Sequence, residues 1–530
     1  MAVLIRYIPL LFITIFNCVF YISATAQQVD VEYLHAEMPS GWVPLNVGER
    51  PDSVNVLIRT GDTVTMDTDA YVKNMQIEAG AVVNAAGSTS QGQPFKLRPG
   101  AFATTGAATL LNQGVLGAAT GNHNGIAIEI PPACRNFTLT GPGTTSIAYI
   151  RPQSKSAELS ININQDVSLN HNGIAISAIP LDKEGSTEDK IDVNIAAGKT
   201  VTLTNPSGQI HGLTQAGGTY TYNINGTVDA SATTVVQNIV PAVASPASTT
   251  IFNIAGVLKF GDKLNIAPAT ESGGKLTLNI LNGGVADATL TNILIPGANF
   301  FITHGTGVLK RKVGSNDVLF PVAAGGTTTP SAVILNNAGV ADNFSVLVSK
   351  DFTVSVPNSN KMVNRQWTII PDSNTNSNVT VTPAWLTGDQ AGGFSPALPV
   401  AVLQYHDGAW LQTSATIKGT GSLADPYTAM AAGFTTFGLF AVHNTELPPP
   451  GSALSVYPNP VIESMNLTFP ATTVSGTLKI TTSDGKRVFT EELEKGATAR
   501  TYNVSTWLPG VYFLIIEGGG KKSSVKFIKQ

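Results

Sequence analysis

The sequence predicts an all-β chain in three parts: a parallel β-helix or solenoid-like region, a β-sandwich module, and a small antiparallel sandwich at the C-terminal end. Three observations carry this. Charged residues make up only 12% of the 530, against roughly 25% in ordinary globular domains. Gly (51) is abundant and Thr, Asn, Ala and Val recur throughout, a composition for short strands and tight turns rather than for helices. Finally, short strand-like segments bounded by Gly, Asn and Asp recur through residues 29–302, and one seven-residue motif returns intact. A length of 530 residues exceeds what one ordinary core needs. The net charge of −4 provides no general attraction for nucleic acid, whose phosphates need clustered Lys and Arg.

Residues 1–26 read as a secretory signal peptide. Arg6 supplies the positive start, an apolar run covers 7–21, and Ala24-Thr25-Ala26 is an A-x-A cleavage site that leaves Gln27 first. The run is short for a membrane anchor and contains Asn17. Ile15-Phe16-Asn17, ahead of Cys18, are too bulky for a lipobox. No other stretch is long and apolar enough to span a bilayer. With the leader gone, Cys134 stands alone and no intramolecular disulfide can form. It reads as a small buried apolar residue rather than a nucleophile.

The solenoid-like region covers residues 27–304. Strand-like pieces fall at 54–59, 63–66, 75–77, 157–163, 191–195, 200–204 and 219–224. Asn122-His123-Asn124-Gly125-Ile126-Ala127-Ile128 returns as Asn170-His171-Asn172-Gly173-Ile174-Ala175-Ile176, with a weaker echo at Ile210-His211-Gly212-Leu213. A second pattern, Asn225-Gly226-Thr227-Val228, Ala255-Gly256-Val257-Leu258 and Asn282-Gly283-Gly284-Val285, has the spacing of stacked coils. Asn and Gly suit the corners, alternate aliphatic residues fill the centre, and charge stays low because stacked like charges repel. A chain of sandwich domains is the alternative. His123, His171 and His211 read as equivalent corner positions rather than a metal site, which needs three or four converging ligands. The charged run Asp182-Lys183-Glu184-Gly185 to Glu188-Asp189-Lys190 lacks the ligand spacing of a calcium loop and reads as a solvated loop. In its pattern the region resembles the right-handed parallel β-helices of bacterial surface passengers and polysaccharide-acting proteins.

Residues 305–445 have the alternation and size of a β-sandwich, with strands expected near 332–335, 351–356, 363–369, 378–382, 402–405 and 437–442. Trp367, Trp385 and Trp410 sit in or beside these strands as core residues; a sugar-stacking platform is the other reading. Asp407, beside His406, is a weak acid–base candidate that a hairpin turn at Asp407-Gly408 explains without chemistry.

A Pro-rich linker at 446–453 leads to residues 454–530. Here strand-like segments at 465–469, 477–481, 488–493, 498–504, 510–516 and 524–528, with a hairpin signal at Asp484-Gly485, make a small immunoglobulin-like sandwich. The opening Tyr457-Pro458-Asn459-Pro460, the Asp484-Gly485-Lys486 turn, Leu508-Pro509-Gly510-Val511-Tyr512 and the basic ending through Lys526 resemble the type IX secretion C-terminal sorting domain of Bacteroidetes. The resemblance implies that the outer-membrane translocon recognises this segment, that a sorting peptidase removes it, and that the cargo is released or attached to surface lipopolysaccharide.

No phosphate-cradling loop, G-x-S-x-G elbow or H-E-x-x-H occurs, so no catalytic, cofactor or metal residue is assigned. The expectation is an exported structural or adhesive surface protein, with surface glycans or lipopolysaccharide as partners. The alternative is a secreted polysaccharide lyase or hydrolase on a β-helix. An acidic and basic groove along one face would favour the enzyme, and a smooth Thr/Asn face would favour adhesion.

Overall fold

The computed structural model describes residues 31–33, 55–445 and 454–530, apart from 67–68, 86–93, 101–105, 118–124, 154–157, 171–189, 208–217, 235, 240–247, 268–274, 470–474, 498 and 519–520. The signal peptide, the linker, His123, His171, His211 and the charged run at 182–189 lie outside the described residues. Among the described residues there is no α-helix, and no helix is long and apolar enough to cross a membrane.

Parallel coils build the first part. A first face of twelve parallel strands runs from Val31–Tyr33 to Val322–Ala324. A second face runs parallel from Thr63–Met66 to Val308–Val313. The third face is covered by four strands, Ala70–Val72, Phe95–Pro99, Ile126–Ile130 and Ile150–Pro152, and further along by Val236–Asn238, Lys263–Asn265 and Ile293–Ile295. The chain is therefore a β-solenoid-like stack, as the repeats predict. The first copy of the seven-residue motif enters the third face at Ile126; Asn170, which opens the second, follows the second-face strand Val167–Leu169 two coils on.

The register explains the sequence pattern. Val56, Met75, Leu110, Leu139, Ile163, Ile195, Ile224, Ile254 and Ile280 are successive partners in one inward column. Beside it, Tyr222 and Phe252 stack with ring centroids 4.7 Å apart. A period of two puts every other residue inside, and stacking like on like buries each coil only against its neighbours.

The corner glycines answer a different demand. Gly226, Gly256, Gly284 and Gly307 occupy one column between the first and second faces. A Cβ on Gly256 would lie 1.9 Å from the Gly226 carbonyl oxygen, and one on Gly284 would lie 1.9 Å from that of Ile254. Close approach of the preceding coil, not a left-handed backbone, fixes glycine there.

At its end the parallel stack turns antiparallel. Val308–Val313 pairs antiparallel with Asp342–Ser349, which opens a run through Gln366–Pro371, Gly438–Asn444, Val400–His406, Ala409–Lys418, Tyr427–Phe434, Val379–Trp385, Val333–Asn337 and Val318–Phe320. Thr303 sits where the aliphatic column would continue. Its hydroxyl donates to the Val348 carbonyl (2.8 Å) and accepts from the Val348 amide (3.0 Å). One hydrophobic core runs through both parts, from Val56 to Val442, so the antiparallel module closes the open end that a solenoid must cap.

The strand expected at 351–356 is not formed; the strand lies at Asp342–Ser349. Phe344, Val346 and Val348 alternate inward over its length. The 351–356 segment instead gives its Thr353 amide to the Gln366 side chain (3.0 Å) and packs Val356 and Phe352 into a satellite cluster with Ala401 and Leu403.

Residues 454–530 form two further sheets with their own core. Ser455–Tyr457, Ser464–Thr468 and Ala499–Asn503 make one; Arg487–Leu493, Gly476–Thr482, Gly510–Gly518 and Lys521–Lys529 make the other.

Candidate functional site

Three places concentrate polar chemistry. On the third face, Tyr71, Arg98, Glu129 and Arg151 occupy one outward column over four coils. Arg98 donates to Glu129 Oε2 from Nη2 (2.9 Å) and Nε (3.1 Å), and its Nη1 lies 2.9 Å from Asp69 Oδ2 and from the Tyr71 hydroxyl. Arg151 Nη2 donates to Glu129 Oε1 (2.6 Å), as does the Tyr149 hydroxyl (3.2 Å). Each guanidinium also covers a ring, Arg98 over Tyr71 at 5.0 Å and Arg151 over Tyr149 at 4.3 Å. The Glu129 side chain is only 6% exposed. Burial pushes its pKa upward, but the hydrogen bonds and charges of Arg151 and Arg98 prevail and hold it below the usual carboxylate range. Sequence reasoning missed this group. Its signal was there: in a charge-poor stretch, Arg98, Glu129 and Arg151 fall 31 and 22 residues apart, close to one coil each.

The first face is different. Its outward positions are mostly Ser, Thr and Asn: Ser160, Asn162, Asn194, Thr219, Thr221, Asn223, Thr249, Asn253, Thr277 and Asn279, with Ile251 among them, Glu158, Lys190 and Lys275 in the first outward column and Asp192 in the next. The amides form a ladder. Asn194 donates to Asn162 (3.0 Å), Asn223 to Asn194 (2.8 Å), Asn253 to Asn223 (2.9 Å) and Asn279 to Asn253 (2.9 Å). On the second face, where charge does stack, it alternates: Asp229, Lys259, Asp287 and Lys310 are successive partners. Lys259 lies 3.2 Å from Asp229, and Lys310 lies 2.8 Å from Asp372.

The third place is the C-terminal sandwich, where the structure brings two ends of the motif set together. Asn459 Oδ1 accepts from the Ile528 amide (2.8 Å), and its Nδ2 donates to the Lys526 carbonyl (3.4 Å). The Val461 amide donates to the Ile528 carbonyl (2.7 Å), and Gln530 N donates to Val461 O (2.9 Å). The opening Pro458-Asn459-Pro460, which contains a cis Asn459–Pro460 bond, is thus clasped to the last strand. Tyr457 pairs through its backbone with Asn466. Asp484 is exposed and Gly485 has φ +83°, a conformation that favours glycine, in the turn joining two strands. Hydrogen bonding from the Thr482 hydroxyl holds the Asp484 carboxyl low. Tyr512 is buried, donates to the Leu508 carbonyl (2.7 Å) and stacks on Phe527 with centroids 5.5 Å apart. This is the geometry of a tyrosine corner. A Cβ on Gly510 would approach Tyr512 no closer than 3.9 Å. Lys526 is exposed.

The remaining candidates separate cleanly. Trp367 and Trp385 are fully buried, while Trp410 is half-buried and donates to the Ser355 carbonyl (3.0 Å). Asp407 and Gly408 both have positive φ in the hairpin between Val400–His406 and Ala409–Lys418, and the Asp407 side chain stands in solvent 3.2 Å from His406. Cys134 is buried, its thiol pushed up to about 11 by desolvation. Among the described residues no three His, Cys, Asp or Glu side chains converge as metal ligands do.

Residues 455–530 match the family model described as the secretion system C-terminal sorting domain. No curated protein and no solved structure matches the chain. The match covers the C-terminal sandwich with its clasped ends. A type IX sorting domain marks proteins exported to the cell surface or secreted, and interaction with the type IX machinery follows from it. The chain carries a type IX secretion C-terminal sorting domain and is cargo bound for the cell surface or the medium.

Proposed function

We propose that the exported cargo is a non-catalytic structural or adhesive surface protein that binds neutral glycan. The observation that carries this reading is the Thr/Asn-rich first face with its amide ladder. Along the ladder Asn223 and Asn253 each use one N–H and one lone pair, leaving a second of each, whereas Asn162 and Asn194 spend both N–H groups. The result is a row of donors and acceptors repeating at the strand spacing of about 4.8 Å, suited to a polymer lying along it. In the same reading, the sorting peptidase removes the C-terminal domain and the cargo is attached to surface lipopolysaccharide or released.

A second reading, a polysaccharide lyase or hydrolase, draws on the Asp69–Arg98–Glu129–Arg151 group. Its chemistry favours structure instead. A general acid needs a raised pKa and a free proton path. Glu129 has a lowered one and gives both oxygens to arginines. The test uses the protein lacking leader and sorting domain, incubated with bacterial, plant and algal polysaccharides. Adsorption to one polymer without release of new chain ends is expected; release of chain ends would transfer the function to the enzyme reading.

A further inference from the structure

A concave groove of about 180 Å³ opens on the antiparallel module, away from the solenoid faces. Four neighbouring strands line it: Ile334 and Asn336 face Thr382 and Thr380, and Thr416 and Lys418 face Met430 and Thr428, with Asp317 at one rim. Threonine in a sheet is ordinary, but the pairing state of these is informative. Among the described residues, the hydroxyls of Thr380, Thr382, Thr416 and Thr428 bond to no other protein group, and Thr416 is exposed, so they are open to solvent or a ligand. Asn336 spends both amide hydrogens, on the Ser315 carbonyl (2.9 Å) and Asp317 Oδ1 (3.0 Å). Its own Oδ1 is thereby fixed as an acceptor. Ile334 and the exposed Met430 supply an apolar surface within the same groove.

We propose that this groove binds one neutral pyranose ring of a glycan. The occupant must be small, since the volume falls below the ~300–1,000 Å³ of pockets for drug-sized ligands. It must carry several hydroxyls, to exchange hydrogen bonds with the four threonines and the Asn336 carbonyl. It must also present an apolar face to Met430 and Ile334. Asp317 and Lys418 contribute one charge of each sign, so the groove as a whole complements an uncharged ligand. This rests on the glycan-binding reading and locates a second contact outside the solenoid.

The experiment uses the full chain and ligand-observed saturation-transfer spectroscopy with the methyl glycosides of glucose, galactose, mannose and N-acetylglucosamine. At least one glycoside should receive saturation, equally at low and high salt. The Thr382→Val/Thr416→Val double variant, which keeps shape and strand propensity, should weaken it by about tenfold or more with an unchanged thermal midpoint. Saturation of no glycoside, or equal binding by the double variant, overturns the groove assignment. Polymer adsorption in parallel separates the two ideas. If adsorption persists while glycoside binding is absent, the groove fails and the adhesive reading stands; if neither occurs, both fail.

Discussion

The antiparallel module and the C-terminal sandwich are both compact β structures following a repeat, yet they relate to it in opposite ways. The module takes over the second face at Val308–Val313, accepts the Thr303 hydroxyl and shares the solenoid core. The sorting domain keeps a separate core of its own around Leu467, Ile480, Leu514 and Phe527. The first is a cap, without which the last coil would expose its interior. The second is a sorting address whose core is separate from what precedes it. Shared core means shared stability; separate core means independent melting.

Calorimetry on the full chain should therefore show two transitions, and substitutions should sort between them. The largest effect is expected from Phe252→Ala, which removes a fully buried ring stacked on Tyr222. It should cost about 3–5 kcal/mol and lower the transition of solenoid and cap together while leaving the sorting domain's in place. If the cap melts separately, the shared-core account fails.

Glu129→Gln comes next, at about 3 kcal/mol, because it leaves desolvated arginines facing a neutral amide. It also carries a pH signature. The Glu129 pKa is lowered from 4.5, so its contribution is complete above that unfolded value and disappears as pH falls through the lower folded one. Stability measured from neutral to acid should fall in the parent chain over that window and fall less in the variant. Equal acid sensitivity would show that other carboxylates govern it.

Gly256→Ala should cost about 1–3 kcal/mol by forcing adjacent coils apart, again in the first transition only. A neutral result in chemical denaturation would mean that the corner relaxes freely. The smallest effect belongs to the sorting domain. Asn459→Ala deletes the acceptor for the Ile528 amide, expected at about 1 kcal/mol, and should shift only the second transition. Hydrogen exchange at Ile528 should accelerate in step; unchanged exchange would remove the clasp from the account.

How legible was this in the sequence? The glycine spacing found the coils because it records a packing constraint, the column of Gly226, Gly256 and Gly284. Two of the sorting motifs were legible because they make a local turn or corner, Asp484-Gly485 and Tyr512. The Glu129 group was marked only by charges about one coil apart, and the unequal spacings of 31 and 22 residues hid that period. The misplaced strand at 351–356 has a similar cause: its alternation equals that of a strand, but the sheet had already been filled by Asp342–Ser349.

By itself the sequence determined the all-β class, the repeat, the turn chemistry and the C-terminal address, all written in spacings of a few residues or in one recurring period. Only the tertiary structure decided that the module shares the solenoid core, that Asn459 is clasped to the last strand, and that Thr380, Thr382, Thr416 and Thr428 line one groove. Those depend on register between strands far apart in the chain, and register is set by which faces become buried together, a property of the whole fold and not of any segment.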